Sequence, residues 1–575
     1  MKKSTCFIVT AFVTGCQFLA AQSAKEDTIA RRNVVIERDY IPTIQDVQKI
    51  DVAPLLTEPE IKKEAVNYSD QLSLLQPDYE MNKWQAAAIH LDQNNPKKGY
   101  ALLGLGFYGT ALGDLFYPIV DNAKQSLTFD THILGIFGNK QQKLTTNFGL
   151  DYSHQFDNFN INLGAYFKRT GFNYYGINGL NFNKYTATYK DSTNNFINFG
   201  VKAGIHSKGN AEDVHYSADI QYNNFTPGTG LGEQQIHTLG NIELPIEQYH
   251  IGLDLDMYNL TYAQYQGATL FPSQSVVGVN PYLGISGDEW KVRIGLKDYF
   301  STGGNGKACN FAPDITGQIN IIKTVTAYAG ITGQYTVNTM QRITDENLYI
   351  DPTVRVNDSY APFEFYGGLK FSPITGLLIN GSVDYTLFNK EYFYVNESEP
   401  ENTYLAYQNN SALYVPNNSP SYLTRPMYNV VYDKAKLLKT ILKASYDWQD
   451  RVITHFSTQF NNWDMNTLEH AWMRPSFEME LGSEVKVNKN IFLNANYYFA
   501  GGRYAQIGTF SSAVTTPSTV HMDNINDLSL GASYLYSDWL TTFIRLNNVL
   551  GKSYQTWYGY DTLGINWQIG AAIIF

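Results

Sequence analysis

Ile565-Asn566-Trp567-Gln568-Ile569-Gly570-Ala571-Ala572-Ile573-Ile574-Phe575 alternates with period two. In an extended chain Ile565, Trp567, Ile569, Ala571, Ile573 and Phe575 share one face, with Asn566, Gln568 and Gly570 opposite. A closing strand with one apolar face, one polar face and an aromatic last residue suits a membrane β-barrel, which meets lipid outside and water inside.

The pattern recurs upstream. Leu144, Thr146, Phe148, Leu150 and Tyr152 oppose Thr145, Asn147, Gly149 and Asp151, and Phe159, Ile161, Leu163, Ala165 and Phe167 repeat the arrangement. Ile251, Leu253, Leu255 and Met257 oppose Asp254 and Asp256, while Ile491, Leu493, Ala495, Tyr497 and Phe499 oppose Asn494 and Asn496. From Lys98 onward such stretches, about ten to thirteen residues long, are bounded by Asn, Asp, Gly or Pro.

Connector lengths sharpen the reading, because a membrane barrel has tight turns at one rim and longer loops at the other. Read backwards from Phe575, 551–562 is long, 537–538 tight, 501–526 long, 487–489 tight, 462–469 medium, 449–450 tight and 394–434 the longest. Tight turns at 373–376, 321–322, 287–288, 247–249 and 157–158 continue the series, with longer stretches such as 336–360, 261–273 and 172–194 between them. The expected fold is all-β, a transmembrane antiparallel β-barrel of roughly 22 strands, an even number that returns both ends to one side. A soluble sandwich would not segregate turn lengths by rim or need so many strands.

Composition agrees. With 43 Tyr and 32 Phe but a mean hydropathy of −0.29, the 575-residue chain is aromatic-rich without being apolar on average, as expected when every second strand residue faces lipid and the loops are polar. No spanning helix is expected after the first residues. A formal charge of −11 without a Lys/Arg cluster sets nucleic-acid binding aside.

Residues 1–22 read as a secretory signal peptide, with Lys2 and Lys3, an apolar stretch through Phe18, then Ala20, Ala21 and Gln22. Val13, Thr14, Gly15 and Cys16 offer an alternative in which Cys16 is lipidated after cleavage. After cleavage near Gln22 only Cys309 remains, which leaves no disulfide framework. Residues 23–96 are charged and punctuated by Pro42, Pro54, Pro59 and Pro77, which reads as an N-terminal periplasmic extension or lumen-filling partial plug ahead of a barrel at 97–575. A short helix over 59–66 fits Glu58 and Glu60 at its start and Lys62 and Lys63 behind them.

The closing segment carries a resemblance. Asn548, Leu550, Lys552 and Tyr554, then Gly559 and Tyr560, Gly564, Gly570 and Phe575 resemble the last strand hairpin of TonB-dependent receptors, over about thirty residues. The Ala21-Gln22 leader end and the Tyr/Asn-rich loops resemble proteins of the Bacteroidetes group. The resemblance implies a cell outer-membrane protein with periplasmic N- and C-termini, in contact with lipid and the barrel-assembly machinery. Family members carry a folded plug about twice as long as the segment at 23–96, so the chain resembles a plugless variant. Asn33, Val34, Val35 and Ile36 are extended enough for a TonB-box-like patch. A lumen this wide needs filling, by residues 23–96, by inward loops such as 394–434, or by a partner protein.

Other motifs read as parts of the wall. Gly104, Gly106 and Gly109 satisfy G-x-G-x-x-G, but Leu103, Leu105 and Phe107 between them put the glycines on one face of a strand. Asp254 and Asp256 are spaced for a shared cation or acid-base work, although a hydrated lumen wall accounts for them. His521 and Asp523 form the one faintly metal-like pairing, in a loop expected to be solvated. Trp539, Trp557, Trp567, Tyr558 and Tyr560 are assigned to interfacial aromatic girdles, and Tyr404, Tyr407, Tyr414 and Tyr422 to loop surface with carbohydrate stacking as the alternative. No nucleophile elbow, HExxH or paired CxxC occurs, so neither enzyme activity nor a cofactor or metal is expected. The expected function is passage or uptake of solutes across the outer membrane. The alternative is a non-transporting scaffold that binds periplasmic or outer-membrane protein partners for envelope assembly.

Overall fold

Strands rich in Ile, Leu, Val, Tyr, Phe and Thr at every second position cannot bury both faces of a single sheet, so the sheet closes on itself. The computed structural model describes residues 99–575 apart from 139, 177–192, 210–212, 229, 265–270, 305–307, 352–353, 355, 397–427 and 512–513, with side chains of 507–518 also excepted. The expected leader, Cys16, the 33–36 patch, the 59–66 helix, and Tyr404, Tyr407, Tyr414 and Tyr422 lie outside the described residues.

The described residues form a 22-stranded antiparallel sheet. Each strand pairs with the next, and the first, Tyr100–Gly106, pairs with the last, Asn566–Ile574, in the register Tyr100↔Ile574 to Gly106↔Gln568. Beyond this seam Gly99 and Phe575 exchange two backbone hydrogen bonds of 2.8 and 3.0 Å. The expected strand number and closure are therefore met. Strand lengths are broader than expected, from 7 residues at the seam to 20 in Asn429–Trp448.

The outer surface is apolar. Ile236, Ile242, Leu244 and Ile246 are exposed along the eighth strand, Glu233–Ile246, and Leu438, Leu442 and Trp448 along the sixteenth, Asn429–Trp448. From Trp448 up to Leu438 is the span a tilted transmembrane strand needs, about ten residues. Above it the outward Lys436 pairs with outward Asp464 at 2.7 Å, which marks the level where the belt ends. The hairpin of the fifteenth strand, Leu377–Val395, and the sixteenth thus projects well beyond the belt.

Tight turns gather at one rim. Gln449 and Asp450, at φ +53° and +55°, are the centre of a turn in which the Arg451 N–H donates to Trp448 C=O at 2.9 Å, the twist-matched hairpin geometry. One expected turn is corrected: Ile321 and Ile322 are exposed final residues of the strand Ala308–Ile322, and the chain reverses at 323–324 instead. The long-loop rim also departs from expectation near its start, where only Phe107–Gly109 joins the first two strands. Gly109 lies in that turn at φ +65°, outside the strand that holds Gly104 and Gly106.

Candidate functional site: a loop-capped mouth above a charged lumen

The lumen wall is built from the inward half of each alternating strand. Asp254, on the ninth strand Tyr249–Tyr262, pairs with Arg293 of the eleventh, Trp290–Gly303, and accepts from Asn241 Nδ2 at 2.6 Å and Asn280 Nδ2 at 3.0 Å. The Arg293 Nε–H reaches Asp314 at 2.8 Å, and its guanidinium lies 3.5 Å over the Tyr282 ring. Asp256 instead faces His237 at 2.8 Å. The two aspartates therefore share the lumen face as expected but belong to separate pairs. Further round the wall Lys439 meets Asp384 at 3.5 Å, and His132 pairs with Asp114.

The wall changes character at the seam, where Leu102, Phe543 and Ala572 form a buried inward cluster. Gly104 and Gly570 stand directly opposite each other, and the Phe543 ring covers both: Cβ atoms added to the two glycines would meet Phe543 Cζ at 3.2 and 2.5 Å. An aromatic ring laid over a cross-strand glycine pair replaces the packing that the glycines lack.

The loop-end mouth is closed by a single hydrophobic cluster. It includes Phe172, Phe196 and Phe225 from the fifth to seventh strands, Tyr392 and Tyr394 from the fifteenth, Tyr349 and Ile350 from loop 337–358, Met473 from loop 466–476, and Trp557 and Tyr560 from loop 548–565. Because one continuous cluster touches the wall in sectors this far apart, it crosses the opening. Tyr349 stacks on Tyr560 with centroids 3.5 Å apart, Tyr175 packs edge-on against both, and Trp557 meets Tyr394 at 4.9 Å. Backbone bonds tie the loops together, from Tyr428 N–H to Tyr349 C=O at 2.9 Å and from Asp351 N–H to Tyr428 C=O at 2.8 Å. Fully burying each such ring contributes on the order of 1.5–3 kcal/mol. Burial also pushes the Tyr175 phenol up to about 12, so it stays neutral while its OH donates to Asp561 C=O at 2.9 Å.

At the centre sits the helix Met340–Glu346, capped by the Thr339 hydroxyl accepting from Arg342 N–H at 3.1 Å. Buried Glu233 accepts from the Met340 N–H at 2.9 Å. At the other end Glu346 accepts from the Tyr392 hydroxyl at 2.5 Å and lies 3.7 Å from Arg474, which also sits 3.6 Å from Glu391. Asp345 reaches Lys168 on the fifth strand at 2.7 Å. Both Glu233 and Glu391 stand above the apolar belt, and burial pushes each carboxyl up to about 7 against the pull of Met340 N–H on the first and Arg474 on the second. Fully buried Arg503 donates to Thr556 C=O at 3.1 Å and Asp523 C=O at 2.9 Å, fastening loop 502–524 to loop 548–565.

The residues singled out in the sequence fall into two groups. Trp567, Ile569, Ile573 and Phe575 are exposed on the outer face of the last strand, with Ala571 between them. Asn548 (φ +49°), Leu550, Lys552, Tyr554, Gly559 (φ +87°) and Gly564 shape the last loop: Asn548 donates to Lys552 C=O and Leu563 C=O, and the Tyr554 hydroxyl to Asp527. Two girdle assignments are corrected, because Trp557 and Tyr560 are buried in the cap, whereas Trp539 and Trp567 are exposed on the wall. Tyr558 is partly buried against the same cluster. His521 packs edge-on against Tyr504, and among the described residues no group of three His, Cys, Asp or Glu converges on a metal-sized site. The helix and Arg474 were not foreseen. Thr339 three residues before Arg342, with Met340 and Ile343 on one helical face, was the available signal.

No protein-family model matches the sequence, and no curated protein matches it. The fold does have solved counterparts. The ferripyoverdine receptor of the outer membrane of Pseudomonas aeruginosa matches at a TM-score of 0.59 and 12% identity, over 83% of this chain and 72% of that one. The ferric-catecholate import receptor Fiu from Escherichia coli K12 matches at 0.58 and 9%, over 84% and 82%, and the FrpB iron transporter from Neisseria meningitidis at 0.59 and 10%, over 84% and 83%. The barrel of this chain thus has the fold of the TonB-dependent receptors.

Proposed function

We propose that this chain is a non-enzymatic outer-membrane barrel that lets solutes pass or takes them up, with both ends of the barrel on the periplasmic side. The observation that carries the reading is the closed 22-stranded wall, apolar outside and lined by charged pairs inside, in the fold of receptors that import iron complexes. Lipid covers the belt, and the barrel-assembly machinery inserts it, as for any such wall. We read residues 23–96, ahead of the wall, as a partial plug or periplasmic extension.

One observation favours a second reading. The loop-end mouth is covered by a packed aromatic cluster where an importing receptor needs an open vestibule, which suits a scaffold that holds periplasmic or outer-membrane proteins. Planar-bilayer conductance of the purified chain separates the two. Currents after deletion of residues 338–357, of 23–96, or of both support a passage. A silent, folded barrel in all three forms would leave the scaffold.

A further inference from the structure

The helix at the centre of the cap is held by charges at both ends and by contacts to distant parts of the wall, an arrangement that a permanent seal does not require. Apolar packing alone would close the mouth more firmly. Replacing a buried ion network by apolar side chains is often neutral or stabilising, whereas removing one partner is strongly destabilising. A buried network is therefore a poor weld and a sensitive catch. Here it joins three separate segments: Glu346 on the helix, Glu391 on the projecting hairpin and Arg474 on loop 466–476, with the Tyr392 ring 5.2 Å from the guanidinium. Glu233 holds the other end of the same helix from the eighth strand.

We propose that the segment 337–351, carrying the helix Met340–Glu346, is a gate, and that Arg474 with Glu346 and Glu391 is its latch. The proposal rests on the passage reading. In the closed state Tyr349 and Ile350 bridge to Tyr428 and Tyr560 across the mouth. Opening withdraws this loop from Tyr428 and Tyr560, breaks the Glu346–Arg474 contact, and exposes the charged wall below. Outside the latch the loop is also tied to the wall and its loops by Asp345 with Lys168 at 2.7 Å, by the Gln235 amide donating to Gln341 at 3.1 Å, by the Met340 N–H donating to Glu233, by the Tyr394 hydroxyl donating to Ile343 C=O and by the short bridge Ile350↔Tyr428, but none of these neutralises Glu346 and Glu391 once Arg474 is lost.

The test is single-channel recording on the full chain in a Cys309→Ser background. Arg474→Ala and Glu346→Gln should raise the open-to-closed ratio, by about a hundredfold for the arginine. Lys168→Cys with Asp345→Cys, bridged by a reducible bifunctional thiol reagent, should silence those openings until reductant is added. Heat-modifiable migration in SDS gels checks that each variant is a folded barrel. If Arg474→Ala is folded but no more open than the parent, while deletion of 338–357 conducts, the latch is wrong and the passage stands. If the deletions of 338–357, of 23–96 and of both are all silent, the passage reading fails and the gate with it; if only forms lacking 23–96 conduct, the same comparison of Arg474→Ala with its parent is made in that background. Openings that persist under the crosslink would place the gate elsewhere.

Discussion

At the scale of single residues, two positions carry more of the wall than their size suggests. Phe543 covers the Gly104–Gly570 pair in the seam, so Phe543→Ala leaves two facing glycines bare and a void between Leu102 and Ala572. It should cost about 3–5 kcal/mol, read as a lower temperature of SDS-gel unfolding, while Phe543→Leu retains most of the stability. An unchanged transition in Phe543→Ala would remove the brace from the account. Gly376 sits at φ +85° in a turn-end connector, where a Cβ would lie 2.2 Å from Asp447 C=O. Gly376→Ala should destabilise the barrel by roughly 1–3 kcal/mol in urea titration from lipid vesicles, and a neutral result would mean that the turn relaxes freely.

At the scale of elements, the last strand and the cap obey different rules, and that difference decides what could be read in advance. Period-two alternation at Ile565–Phe575 and at Leu144–Tyr152 records where side chains point within one strand, so the wall, its closure and most turns were legible. The cap was not, because Tyr349, Arg474 and Tyr560 come from three loops and have no common period. Trp557 and Tyr560 show the limit well: an aromatic flanked by polar residues looks the same at a lipid interface and in a folded loop. The strand rule predicts that Ile569→Lys, facing hydrocarbon, costs about 2–4 kcal/mol of folding free energy, whereas Gln568→Lys, facing the lumen, is tolerated. Equal effects at both sites would contradict the assigned faces. The cap instead should respond to pH. Glu391 and Glu233 bind their protons more tightly when buried, near pH 7, than at the ordinary value of 4.5. Closure therefore gains as pH falls from about 7 toward 4.5 and weakens as pH rises through 7. Hydrogen-exchange protection of 338–350, corrected for the intrinsic exchange rate at each pH, should be lower at pH 8 than at pH 5.5, with a smaller difference in Glu391→Gln, and higher protection at pH 8 would reverse the assignment.

At the scale of the whole molecule, a wide cylinder is kept shut from its loop end by pieces of its own wall, while the lumen beneath keeps a polar lining of paired charges. Among the described residues, Asp114, Asp254, Asp256, Asp314 and Asp384 face Arg293, Lys297, Lys439 and Arg545 as fixed opposite charges, with His132 and His237 beside Asp114 and Asp256. A barrel freed of residues 338–357 should accordingly prefer cations, seen as a reversal potential of the matching sign in a salt gradient, and anion preference would show that other groups set the field. The seam has one more consequence. Since Gly99 and Phe575 already meet as neighbouring strand ends, a short Gly-Ser splice between them would make the cylinder an endless loop, and new termini cut at Asp538 should yield a circular permutant that inserts and closes like the parent.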